Sequence, residues 1–220
     1  MWMGKRILAI GGGRADRAEA LATAAGISLY EAQRHLAAGG PRVLATYADP
    51  EVAATVATAL ATAGFAPVIF DDDAALLDRL LVRSFVLGAR TLGVTDRQGT
   101  RLEVPFTAIA VMLRGIRTLG PDDREPFLDV HAAGRPVLAF CERQVHYDGL
   151  HLERQPTATA NFGRLIARLR EQAPQARYDD RLNTRAGQLG VLGDRFTPEE
   201  HLEIASLVLA RALQHLPAAA

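Results

Sequence analysis

Between Lys5 and Phe70 the chain is cut by glycines, prolines and helix caps at intervals that leave room for one succession of elements. Ile7-Leu8-Ala9-Ile10 is an apolar run ending in Gly11-Gly12-Gly13, the pattern of a buried strand entering a tight turn. From Arg14 the period changes. Ala15, Ala18, Leu21, Ala22 and Ala25 recur at helical spacing, and Gly26 stops the helix as a residue free to take positive φ. Ser28-Leu29-Tyr30-Glu31 is a capping box, in which the Ser oxygen and the Glu carboxylate each satisfy an N–H that a new helix leaves unpaired. That second helix runs to about Ala38 and halts at Gly39-Gly40-Pro41. Arg42 to Thr46 reads as a strand, and Asp49-Pro50 as a cap with proline at the first helical position. Val52, Ala53, Val56, Ala57, Leu60 and Ala63 form the apolar stripe of a third helix, which Gly64 stops before a strand from Phe65 to Phe70. The order is βααβαβ.

This order, with helix, glycine, short helix, proline and strand at its centre, resembles the C-terminal domain of the bacterial ribosomal stalk protein, a fold shared with the Clp protease adaptor. The most specific stretch is Gly26-Ile27-Ser28-Leu29-Tyr30-Glu31-Ala32, where the stalk family carries Gly-Leu-Gly-Leu-Lys-Glu-Ala. Ala63-Gly64-Phe65-Ala66-Pro67-Val68 matches that family's last helix-to-strand turn. The resemblance covers about a third of the chain and implies a docking domain. The stalk family recruits translation factors through lysines on its second helix, and here Tyr30 and Gln33 stand in those places. Tyr30, Gln33 and Arg34 are therefore the protein-binding candidates, for a protein partner the sequence does not name.

The same residues admit other readings. Ala22 to His35 fits a helix-turn-helix, with Gln33, Arg34 and His35 on a recognition helix. Against nucleic acid as a partner stands the charge: 25 Lys+Arg balance 25 Asp+Glu, where phosphate binding calls for a basic excess. Gly11, Gly12, Gly13 and Arg14 are anion-binding candidates, lying after a strand and before a helix. The dinucleotide fingerprint is incomplete, because Asp16 occupies the place of its third glycine. Asp71-Asp72-Asp73 reads as a solvated acidic run rather than a metal site.

After Ala74 the composition turns to β-branched residues, arginines and glycines. Strands are expected over Val82–Leu87 and Thr91–Thr95 across a Gly88-Ala89-Arg90 turn, then Arg101–Phe106 and Ile109–Leu113. Gly115 to Arg124 reads as a loop. Phe127–His131 and Val137–Cys141 read as a hairpin, and Val145–Leu152 as a last strand. An amphipathic helix opens at Asn161-Phe162, with Phe162, Leu165, Ile166 and Leu169 on one face, and stops near Pro174. Antiparallel strands closed by one helix resemble a bacterial pleckstrin-homology-like barrel, most visibly at Leu102 to Ile109. Asp179-Asp180-Arg181 reads as a loop held by an ion pair or a turn. Thr197-Pro198-Glu199-Glu200 opens a final helix whose stripe of Leu202, Ala205, Leu209, Ala212, Leu213 and Leu216 must be buried on this chain or on a partner.

The expectation is an α+β protein: a small βααβαβ sandwich domain (1–74), a β-rich barrel-like domain (75–178), and a loop with a C-terminal amphipathic helix (179–220). No histidine falls in a zinc spacing, and neither G-x-S-x-G nor S-x-x-K occurs, so no catalytic residue, metal or cofactor is assigned. The alternatives are a DNA-binding regulator using the helix-turn-helix at Ala22–His35 and, behind it, an enzyme with a site near Cys141, His131 and His146. A single cysteine, no signal-peptide core and no run approaching ~20 apolar residues predict a cytoplasmic protein without a membrane span. A non-catalytic adaptor or regulator is the function these features favour.

Overall fold

A computed structural model describes residues 5–37, 39–72 and 79–215. Capping and periodicity account for its first elements: β1 (Arg6–Ile10), a 3-10 turn (Ala15–Arg17), α1 (Ala18–Ala25), α2 (Leu29–Ala37), β2 (Arg42–Tyr47), α3 (Pro50–Thr62) and β3 (Pro67–Asp71). Ser28 and Glu31 form the expected reciprocal cap, with Glu31 Oε2 accepting from the Ser28 N–H at 2.9 Å and Ser28 Oγ from the Glu31 N–H at 3.2 Å. Asp49 Oδ1 accepts from the Glu51 N–H at the start of α3. Gly26 ends α1 at φ 65°.

The chain divides into two units, one of Met1–Leu77 with Arg185–Ala220, the other of Asp78–Thr184. In the first unit β1 is the centre of an antiparallel sheet of order β2-β1-β3. Side-chain alternation gives each face of β1 its own cover. Leu8 and Ile10 pack with Leu21, Leu36, Leu60 and Phe65 from the helical side. Two later helices, α5 (Arg185–Leu192) and α6 (Pro198–His215), return to this unit, α5 against β2 and α6 against β2 and β3. Leu202, Ala205, Leu209, Ala212 and Leu213 are all buried, so α6 covers its stripe on this chain; Leu216 lies outside the described residues. The Arg211 guanidinium donates to the Ile69 carbonyl at 2.9 Å and lies 5.1 Å from the Phe70 ring centroid.

The second unit holds β4 (Arg79–Leu87), β5 (Thr91–Asp96), β6 (Arg101–Pro105), β7 (Ile109–Thr118), β8 (Arg124–Ala132), β9 (Val137–Cys141), α4 (Ala158–Gln172) and β10 (Arg177–Leu182). They form a seven-stranded mixed sheet of order β10-β7-β8-β9-β4-β5-β6. β4 serves two neighbours in turn. Arg79–Leu81 run parallel to β9, and after a register shift near Val82 the rest pairs antiparallel with β5. The sheet is open, and the expected barrel does not form. β7 is paired on both edges, with β8 and with β10, so it offers β6 no edge on which to close. The free edges carry what keeps edges from pairing: Arg101, Glu103 and Pro105 on β6, and Asp179, Asp180 and Arg181 on β10. Instead of plugging a barrel, α4 lays Phe162, Leu165, Ile166 and Leu169 over one face, among Met112, Leu128, Val130 and Phe140.

Three local expectations are corrected. The segment from Gly115 was expected to be a loop, but β7 continues to Thr118. Gly115 stands opposite Phe127, and a Cβ there would lie 2.5 Å from Phe127 Cε1 and 2.8 Å from Leu182 Cβ. The glycine makes room for a ring rather than a turn. Val145–Leu152 is not a strand but a bridge at His146 to Ser84 followed by a 3-10 segment over Tyr147–Glu153. Asp179-Asp180-Arg181 lies within β10, where its carboxylate–guanidinium pair (Asp179 to Arg181, 2.8 Å) forms along an edge strand.

Candidate functional site

The protein-binding candidates lie on α2, whose inner side is set by Ala32 and Leu36, both buried. Tyr30, Gln33, Arg34 and Ala37 follow at the i, i+3, i+4, i+7 spacing of one helical face and are all exposed. Tyr30 is 68 % exposed and its neighbour Leu29 44 %. Arg34 is ion-paired with Asp194, Nη2 to Oδ2 at 2.6 Å.

That pair opens a concave polar site within the first unit. The α5–α6 connection passes over the start of β2. Gly193, at φ 69°, sits where a Cβ would be 3.3 Å from the Val43 carbonyl and 3.4 Å from Arg42 Nε. It brings Asp194 and Arg195 over the last turn of α2. The resulting pocket, about 260 Å³, is lined by Arg34, His35, Arg42, Asp194, Arg195 and the capping Glu31. The Arg42 side chain is 11 % exposed, and Nη2 lies 3.8 Å from the Asp194 carboxylate. Arg42 Nε and His35 Nδ1 are buried without a hydrogen-bond partner. Burial, then the charge of Arg42, holds the His35 imidazole below its ordinary range, while Asp194 pulls the other way. No spacing rule joins positions 34–42 to 194–195, and only the return of the C-terminal helices makes them neighbours.

A groove of about 860 Å³ runs between α1 and α3, walled mainly by Ala20, Ala24, Ala59 and Ala63 with Thr55, Thr58 and Thr62. The three hydroxyls donate to carbonyls one turn back on their own helix, which leaves an apolar wall.

Packing accounts for the glycine run. The Gly11 N–H donates to the Ala66 carbonyl at 2.9 Å. Gly12, at φ 108°, faces Gly40 so closely that a Cβ would come within 3.0 Å of its Cα. Arg14 pairs with Asp16 at 3.2 Å. Asp71 of the acidic run pairs with Arg6 at 2.8 Å, and Asp73 lies outside the described residues.

Cys141, His131 and His146 are not brought together. Cys141 on β9 faces Phe127, whereas His131 is four residues further along β8, roughly 13 Å at the strand rise. His146 is exposed beyond the end of β9. Burial, reinforced by Glu125, pushes the Cys141 thiol up to about 11, the reverse of what a nucleophile needs. What the second unit does assemble is a buried polar row on β8. Asp129, 1 % exposed, receives Arg79 Nη2 at 2.5 Å, and Glu125 accepts from Gln144 Nε2 at 2.8 Å. Among the described residues, no group of three or more His, Cys, Asp or Glu side chains is placed to hold a metal ion. Among them too, no helix is long and apolar enough to cross a membrane.

No family model, no curated protein and no solved structure matches the chain.

Proposed function

We propose that this chain is a non-catalytic docking protein, an adaptor or regulator that engages a protein partner through the outer face of α2. The observation that carries the reading is Tyr30, an aromatic side chain 68 % exposed beside the half-exposed Leu29. Docking energy concentrates in a few aromatic and arginine side chains, and an anchor held in place before binding loses little freedom on binding. The helix beneath Tyr30 is held by the Ser28–Glu31 cap and by buried Ala32 and Leu36. Gln33 and Arg34, on the same face, provide the polar rim. The resemblance of Gly26 to Ala32 to the stalk and Clp adaptor family supports the same face, since the stalk family docks through its second helix.

Photo-crosslinking in the native host tests this. A benzoylphenylalanine at position 30 should capture one discrete protein, and a probe at Gln33 the same one. Capture from Gln33 should be lost when Tyr30→Ala is added. A control probe at Glu103, exposed on β6, should capture nothing in common with them. Equal capture from position 103, or none from 30 and 33, overturns the proposal.

A further inference from the structure

We propose that the pocket formed by the end of α2, the start of β2 and the α5–α6 connection binds a small oxyanion. The ligand class is a phosphate or carboxylate group on a molecule of a few heavy atoms. The inference is independent of docking by Tyr30.

The argument begins with charge. Arg34, Arg42 and Arg195 line one concavity. Asp194 pairs closely with Arg34, at 2.6 Å, and lies 3.8 Å from Arg42. Glu31, the other acidic group on the wall, is tied to the Ser28 N–H and hydroxyl at the opposite end of the helix. The α2 dipole explains basic residues in its last turn, Arg34 and His35. It does not explain Arg42, which belongs to a strand. Arg42 is the most enclosed guanidinium of the three, and its contact with Asp194, at 3.8 Å, is too long for a hydrogen bond. A largely buried cation whose nearest counter-charge is too far for a hydrogen bond is costly, and an anion beside it offsets that cost. Arg42 Nε and His35 Nδ1, on two of the residues that line the pocket, add two buried polar atoms without a hydrogen-bond partner. Guanidinium groups bind phosphate and carboxylate alike through paired N–H donors.

Size limits the ligand. About 260 Å³ lies below the ~300–1,000 Å³ of sites that enclose drug-sized molecules, so the pocket is too small to enclose a nucleotide and matches phosphate, a small phosphomonoester or a short dicarboxylate. His35 adds a proton linkage. The charged groups that face it are Arg34, Arg42, Arg195 and Asp194, with Glu31 one turn back on α2, and an anion among them favours the protonated ring. For an anion of fixed charge, binding is therefore tighter at lower pH.

The test uses the purified full chain, with inorganic phosphate and malonate titrated separately at constant ionic strength against a chloride control, followed by amide chemical shifts. Saturable shifts confined to residues near 34–35, 42–43 and 194–195 are expected for at least one of the two anions, and the preferred one identifies the ligand's head group. Arg195→Ala, an exposed change that leaves the fold intact, should weaken binding by on the order of tenfold, the value of one charge-assisted hydrogen bond. Arg42→Gln should weaken it at least as much. His35→Asn should remove the part of the pH dependence that the anion's own titration does not account for. No saturation by either anion, or affinities unchanged in both arginine variants, overturns the assignment. Neither result bears on crosslinking from Tyr30.

Discussion

Acidification should expose the cost of burying His131. The side chain is 7 % exposed on β8, and burial pulls its imidazole down to about 4; neighbouring Asp129 opposes the shift and Arg79 adds to it. In the unfolded chain the same ring titrates near ~6.5. Above the unfolded value neither state carries the proton, and the contribution to stability is complete. As pH falls from ~6.5 toward about 4, only the unfolded chain gains the proton, so stability is lost at ~1.4 kcal/mol per pH unit. Below about 4 both states are protonated and the loss levels off at roughly 3 kcal/mol. That is a large share of the ~5–15 kcal/mol that holds a domain together. The assay is urea unfolding followed by circular dichroism at steps between about pH 7 and pH 4.5, for the natural chain and His131→Gln, with the denaturant slope checked for constancy. The two proteins share every carboxylate, so their difference isolates the ring together with its coupling to Asp129. The natural chain should lose stability more steeply by up to ~1.4 kcal/mol per pH unit, and parallel curves would refute the reasoning.

Gly115→Ala forces a methyl against the Phe127 ring and Leu182, and should cost ~1–3 kcal/mol in urea unfolding. Gly163→Ala, in α4 with open space around it, should instead stabilise by ~0.5–1 kcal/mol. Cys141, buried and held as the thiol, should be silent to an aromatic disulfide reagent near neutral pH in the native chain and react promptly once urea unfolds it. Asp49→Ala removes the acceptor from the Glu51 N–H and should lower stability by ~1 kcal/mol, measured by thermal unfolding.

The first seventy residues were legible because their signals are local. A capping box, an Asp-Pro start and a glycine with positive φ each act within one helical turn, and each appears where the residues demand it. Gly115 misled for an equally physical reason. A glycine in a strand and a glycine in a loop look alike in sequence, and only the Phe127 ring across the ladder tells them apart. The closed barrel failed on pairing. Alternation identifies a strand, but it does not reveal that β10 takes the second edge of β7. Of the candidate site, Tyr30, Gln33 and Arg34 could be placed on one face from their spacing. The pocket beside them could not, because Arg42 and Asp194 are separated by 152 positions.

By itself the sequence determined the helices other than α5 (Arg185–Leu192, which it read as part of a loop), most strands and the outward face of α2, since these follow from interactions between residues a few positions apart. It also showed that the last helix carried a stripe in need of cover. Tertiary structure decided what covers that stripe: β1 buries both of its faces, one under α1–α3, while α5 and α6 return to the same small sheet. Burial of apolar area is non-directional and has no preferred sequence separation, so it can join distant segments whose local patterns say nothing about each other. The same return places Asp194 and Arg195 over Arg42, and the polar pocket exists because of it.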